Sequence, residues 1–379
     1  MQNINASEKY KPKGSDRISL IRSLCDQSIQ GLERMFDRNK KVFCYRVRKT
    51  EEGIVCDGES FRYTIITLLG LKRYEQHIGS SPISIREVLN ELVNKSASIK
   101  YSGDAGLLLW LTAMAAPKQL EEVYSRLDIA NAWESFRDAS DGMTTELSWL
   151  LTGLCYAILK GDGQLPRVAE TATKVYDTIK ANFGRKGIFR HQHGRSVIGA
   201  LRGNIGCFAD QVYPIYAFTR FAETHSSSEA LEISRQCSDA ICDLQGSHGQ
   251  WWWYYDAKTG KTAGRYPVYS VHQEGMAPMA LFAAAEKTGA DYEAPIYKGL
   301  EWITGNNELG VDMRDFARRT IWRNFYERRW NHNRKFELVA AILGNRTHDD
   351  DHVNLEILYE CRPYCLGWLL YAFADKVNA

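Results

Sequence analysis

Six polar residues each open an apolar stretch of the chain: Arg62 in "RYTIITLLGL", Asp104 in "DAGLLLWLTAM", Glu146 in "ELSWLLTGLCYAI", Asp210 in "DQVYPIYAFTRF", His272 in "HQEGMAPMALFAAA" and Tyr364 in "YCLGWLLYAF". Carboxylates and an imidazole held around one space are the equipment of general acid–base catalysis. Asp210 and Glu274 are the leading acid and base candidates, because each adjoins an insertion, "RGNIGCFADQVYP" and "RYPVYSVHQEG". His272, Glu146 and Asp104 complete the candidate catalytic set. His272 and Glu274 are two residues apart, so on a helix they point about 200° apart and both face one cavity only if one belongs to the preceding turn. Arg62 and Arg362 suit two-point contacts to a substrate carboxylate or phosphate; the competing role is an ion pair with the neighbouring acids. For Asp104, Glu146 and Asp210 the competing role is that of helix N-terminal acids, which gain about 0.3–1 kcal/mol each from the macrodipole.

A second feature is aromatic. "QWWWYYDAKTGK" (250–261) sets five rings in a row, a pattern that suits neither an amphipathic helix nor a half-buried strand. Alternate rings of an extended segment face opposite ways. Trp252, Trp253 and Tyr255 are therefore candidate platforms for a ligand, with Tyr364 beside them, and the other rings pack beneath the loop.

These residues need a scaffold that gathers six stretches at one rim. Between the apolar stretches lie conventional amphipathic helices at 16–36, 85–97, 118–136, 167–183, 227–244 and 293–304, with apolar residues at i, i+3, i+4 and i+7. Alternation of two helix types with a loose repeat marks an array of helical hairpins. A helix apolar all round needs cover on every side, which an inner ring within an outer ring supplies. The expected fold is an all-α (α/α)6 toroid, a six-hairpin barrel, formed by 16–379 as one domain after a disordered tail at 1–15. The six stretches start at intervals of 42, 42, 64, 62 and 92 residues, so the later hairpins carry insertions, at 184–207, 245–268 and 305–360. "DAKTGK" predicts a β-hairpin in the second, at one mouth of the barrel.

Two segments resemble a known superfamily. "QGSHGQW" (245–251) fits the Q-x3-G-x-W core of the QW motif in terpenoid cyclases and protein prenyltransferases, and "YSVHQEGMAPMAL" (269–281) is similar to an inner helix of prenyltransferase β subunits. The resemblance implies the α/α toroid. It does not carry the chemistry, since no D-x-D-D acid occurs and Tyr266 and Val268 stand where the zinc-binding Asp and Cys belong. Six-hairpin glycosidases, uronic-acid hydrolases, lyases and sugar epimerases are similar in rhythm alone.

Composition narrows the function. The chain has 379 residues, 44% hydrophobic and 25% charged, with a net charge of +2. That balance gives no reason to expect nucleic acid as a partner, and the basic, aromatic segment 312–336 reads as a solvated helix capping the toroid. No apolar run is long enough for a membrane span. The first residues lack a secretory signal, and nine scattered cysteines without a CxxC read as reduced thiols of a cytoplasmic protein; Cys361 and Cys365 would share a helix face. "RHQHGR" (190–195) offers two histidines without a third ligand, so no metal is expected, and no cofactor motif is present. "HDDDH" (348–352) reads as a solvent loop.

Isoprenoid cavities need apolar walls and one strong acid. Sugars need carboxylates, hydrogen-bonding groups and an aromatic platform. The polar rim therefore predicts an intracellular enzyme acting on a small-molecule or oligosaccharide substrate, anionic glycans included, by hydrolysis, elimination or epimerisation in polysaccharide synthesis or modification. The alternatives are a terpenoid cyclase-like enzyme with a divergent catalytic acid, and a non-catalytic toroid that binds a glycan or a protein. The sequence leaves oligomeric state open.

Overall fold

A computed structural model describes residues 14–129, 143–161, 165–192, 203–330, 334–342 and 354–378. Six helices form a closed inner ring: Phe61–His77, Ser102–Ala115, Thr144–Lys160, Ala209–His225, the π turn His272–Met276 continued by Ala277–Thr288, and Pro363–Phe373. Each packs against the next, and the last against the first. The amphipathic helices Gly14–Met35, Ile85–Asn94, Leu120–Leu127, Val168–Lys180, Ser228–Asp243 and Glu293–Ile303 surround them. The first of these covers the final inner helix, which closes the outer layer across the chain ends. The architecture is an (α/α)6 toroid with small β elements, as the alternation predicts.

Glycine sets the spacing of the inner ring at two seams. A Cβ on Gly153 would lie 2.2 Å from the Gly106 carbonyl oxygen, and one on Gly70 would lie 2.1 Å from that of Gly367. Backbone meets backbone there, and any side chain would force the helices apart.

The insertions meet at one mouth as β structure. Ile205–Cys207 pairs with Tyr254–Asp256, which forms the expected hairpin with Lys261–Gly264. Val268–Tyr269 pairs with Asn324–Glu327, and that strand with Leu355–Leu358. A hairpin of Val42–Thr50 and Gly53–Glu59, joined by Glu360–Cys361, is not anticipated by the helical rhythm. Phe43, Cys44 and Val47 of its first strand are buried.

Four readings are corrected. Residues 312–330 are not a solvated helix: they form the short strands Arg314–Asp315, Thr320–Ile321 and Asn324–Glu327, because Thr320, Ile321, Trp322, Arg323, Asn324 and Phe325 are buried in succession. A helix follows only at Arg334–Ile342. Cys361 lies in a strand, so it does not share a helix face with Cys365. The first helix starts at Gly14, inside the stretch read as a tail. The third outer helix ends at Leu127, short of the expected 136, because Asp128 takes a left-handed backbone with φ 44°; the rest of the N-terminal tail, residues 130–136, His193 and "HDDDH" lie outside the described residues. Among the described residues no helix is long and apolar enough to cross a membrane.

Candidate functional site

The first turns of the inner helices touch one another around the mouth. On one side Arg62 grips two acids. Its Nε donates to Asp104 Oδ1 at 2.5 Å, and Nη1 and Nη2 donate to Glu146 Oε1 and Oε2 at 2.7 and 3.1 Å. The Gly103 amide also donates to Glu146 Oε2, at 3.1 Å. All three guanidinium nitrogens are thus committed to protein. The Arg62 ion pair expected as the competing role is the one formed, and the guanidinium is not free to clamp a substrate anion in this state. Burial, the largest influence, raises the Glu146 carboxyl pKa; Arg62 opposes it, the Asp104 charge adds to it, and the net shift is upward.

The next acid is held differently. Asp210 is fully buried in the first turn of its helix. Its Oδ1 accepts from the Thr145 hydroxyl at 2.7 Å and the Thr145 amide at 3.3 Å; Oδ2 accepts from the Cys207 amide and faces His191 Nδ1, both at 2.9 Å. Burial alone would raise this carboxyl, but His191, Thr145 and the Cys207 amide bring it below the ordinary value. Four partners occupy the lone pairs of an ionised carboxylate. Asp210 is therefore not placed to exchange a proton with a ligand directly, as its sequence position suggests. It fixes His191, whose backbone is pinned by the Thr144 amide donating to its carbonyl at 2.9 Å. With the Nδ1 proton directed at Asp210, Nε2 is left as the acceptor of a side chain 20% exposed.

His272 and Glu274 share one π turn and face opposite ways. His272 lines the central cavity, while Glu274 does not. Burial pushes the His272 imidazole down to about 3, so the ring is neutral. Glu274 is turned toward the helix carrying Cys365, and neither of its carboxyl oxygens has a hydrogen-bond partner. Burial holds it well above the usual carboxylate range. Its part as an acid or base in contact with substrate is not what this orientation supports.

Adjacent rings of the aromatic run have different surroundings, but the division is not a strict alternation, since the strand shifts register between Tyr254 and Tyr255. Trp253 lines the cavity with its ring parallel to His272, centroids 5.6 Å apart. Trp252 turns to Tyr266 and carries Arg265 over its face at 5.4 Å. Trp251 and Tyr255 are buried against Phe208; Tyr255 does not reach the cavity, which corrects its reading as a ligand contact. The QW-like segment has a local structural task. Gln245 donates to Gly249 O and Pro295 O, both at 2.9 Å, tying one outer helix to the next.

The cavity has a volume of about 210 Å³. Trp149, Tyr213, Trp253, Tyr269 and Tyr364 give it aromatic walls, and Arg62, Arg323 and Arg362 bring three guanidinium groups to it. Asp104, Glu146 and Asp210 sit directly behind its surface, covered by Arg62 and Thr145. Below it three tyrosine hydroxyls, of Tyr156, Tyr216 and Tyr371, bond to one another at 2.7–3.0 Å. Sequence reasoning missed Arg323 and His191. The apolar neighbours Ile321, Trp322 and Phe325 are the signal for a buried Arg323. No local signal marks His191, because its partner Asp210 arrives from another helix. Among the described residues no group of three or more His, Cys, Asp or Glu could hold a metal ion.

No protein-family model and no curated protein matches the chain in sequence. Solved structures match its fold. A glycosyl hydrolase family 88 protein from Bacteroides vulgatus aligns with TM-score 0.59 and 10% identity over 95% of this chain and 99% of its own. The GH76A alpha-1,6-mannanase from Salegentibacter sp. HEL1_6 aligns with TM-score 0.59 and 10% identity over 95% and 100%. An unsaturated glucuronyl hydrolase specific for heparin gives TM-score 0.55 and 14% identity over 95% and 97%. The looser likeness, to six-hairpin glycosidases, is the one these structures carry; they lend no support to the terpenoid cyclase and prenyltransferase likeness.

Proposed function

We propose that this protein is a carbohydrate-active enzyme that performs acid–base chemistry on a glycan in polysaccharide synthesis or modification, within the cytoplasm. One observation carries the reading: behind two lining residues of an aromatic-walled cavity stand titratable groups of opposite bias, Glu146, a raised carboxyl held with Asp104 by Arg62, and His191, an imidazole oriented by Asp210, which bonds to Thr145. Groups whose surroundings drive them toward opposite protonation states suit donor and acceptor roles. In this scheme Glu146 donates the proton once substrate draws Arg62 aside, His191 Nε2 accepts, and Asp210 and Thr145 position it. The fold shared with glycoside hydrolases supports the same reading by analogy.

The test is a screen of neutral and acidic oligosaccharides, read by mass spectrometry of products, with prenyl diphosphates alongside. Glu146→Gln is expected to lower glycan turnover by about 100-fold, the usual worth of a positioned proton donor. Turnover of a prenyl diphosphate instead, or an undiminished Glu146→Gln enzyme, sinks the proposal. A second reading, a glycan-binding toroid without catalysis, is favoured by the absence of a carboxylate from the cavity surface among the described residues. It is the outcome if glycans bind and none is converted.

A further inference from the structure

Arg323 and Arg362 stand on the cavity wall away from the acid pair, and one carboxylate, Glu360, serves both. Arg362 Nε donates to Glu360 Oε1 at 2.6 Å and its Nη1 to the Tyr63 hydroxyl at 2.7 Å. The other oxygen of Glu360 is taken by Arg46 Nη1 at 2.8 Å. Arg323 reaches the same acid only at 3.6 Å, too far for a hydrogen bond. It is 3% exposed, and its Nε and Nη1 are buried with no hydrogen-bond partner. Its other support is the ring of Tyr269, 4.8 Å below the guanidinium carbon.

A buried cation without matched partners is expensive to keep. The arrangement leaves two cavity-facing guanidinium groups against one carboxylate, and that carboxylate is shared with a third arginine. A hydroxyl group could satisfy a donor but not the surplus charge. We infer that Arg323, backed by Arg362, is the recognition point for a negatively charged group on the substrate: a carboxylate, or a sulfate or phosphate ester, of a sugar unit. The inference rests on the glycan reading and narrows it to acidic glycans. Arg62 does not carry a surplus charge in this state, since its nitrogens are filled by two carboxylates, Asp104 and Glu146. The negative group would then sit on the cationic wall and present the rest of the sugar to the acid flank.

Titration calorimetry on the full chain tests it, using methyl glucuronide, glucose 6-sulfate and glucose 6-phosphate against methyl glucoside. At least one charged ligand is expected to bind tenfold or more tighter than the neutral one, and the strongest of the three identifies the source of the charge. Arg323→Met should abolish that preference, and Arg323→Lys should restore part of it. Arg323→Met should also raise the melting temperature, because Glu360 keeps Arg362 and Arg46 when the surplus charge is gone. A merely structural Arg323 would do the opposite. Equal binding of charged and neutral ligands by the wild-type chain overturns the inference, as does a preference that survives Arg323→Met or a variant that melts earlier. If the variant does not fold, the wild-type comparison and competition by inorganic sulfate decide it alone. Failure of the two readings looks different. Glycan turnover with no charge preference removes the anion site only. Sulfate binding lost in Arg323→Met and partly kept in Arg323→Lys, with no glycoside bound, upholds the anion site and removes the glycan reading.

Discussion

Asp210 and Glu274 occupy neighbouring inner helices, in the first turn and the opening π turn, and both are wholly buried. Their surroundings are opposite. Asp210 faces an irregular, polar edge made by the loop at His191 and the strand ending at Cys207, where two amides, a hydroxyl and an imidazole receive it. Glu274 faces a helix–helix contact with nothing to bond to. One carboxyl is drawn below its ordinary pKa and the other is pushed well above it. Burial is common to both; hydrogen-bond supply separates them.

The largest expected effect breaks the well-supplied side. Asp210→Asn puts an amide N–H against donors, so it should cost about 3 kcal/mol of stability. If His191 is the base, turnover should fall by about 100-fold as well. Chemical denaturation and steady-state rates measure the two separately. A variant with normal stability and normal rate would mean that the supply of hydrogen bonds at Asp210 has no consequence.

Next come the tryptophans between the two sites. Trp253→Ala removes a cavity wall stacked on His272 and is expected to weaken glycan binding about tenfold. Trp252→Ala should cost about 2 kcal/mol of stability with little change in affinity, since Trp252 is 8% exposed and turned to Tyr266. Calorimetric binding and melting curves for both variants give the comparison. Equal effects on binding would place the ligand elsewhere.

Glu274→Gln is the smallest change, and its sign is the informative part. The folded-state pKa of Glu274 lies above its unfolded value, so its contribution is complete below about pH 4.5 and is lost as pH rises through the folded value. Asp210 runs the other way: its folded pKa is lowered, so its contribution is present above the unfolded value and fades as pH falls through the folded one. Glu274→Gln should therefore stabilise the protein by about 1 kcal/mol at pH 7–8 and flatten the fall on the alkaline side. Melting temperatures across pH 4–9 check this; a destabilised variant at pH 8 would show that Glu274 has a partner in the native state.

Periodicity made the scaffold legible. The six helix starts, the outer helices and the hairpin at "DAKTGK" all follow from local patterns of apolar spacing and turn residues. The strand Asn324–Glu327 did not, for a physical reason: its partners, Val268–Tyr269 and Leu355–Leu358, lie far along the chain; the hairpins at 42–59 and 314–321 pair locally, but the helical rhythm carries no sign of them. The candidate site divides in the same way. Arg62, Asp104 and Glu146 were legible as a rim because one helix pattern repeats. Arg323 was not, because basic composition reads as solvent exposure until the strands bury it.

The sequence by itself determined that six apolar helices must be enclosed and that each opens on a polar residue. Side-chain period and turn chemistry are local properties, and they suffice for that. Only the tertiary structure decided which of those polar residues has a partner. Arg62 is spent on two acids, Asp210 is saturated by a helix start, a strand end and a loop, Glu274 is left facing a helix and Arg323 faces a cavity. Charge state and chemical role depend on the few ångströms around a group. Those distances are set by segments tens to hundreds of residues apart, which no local pattern encodes.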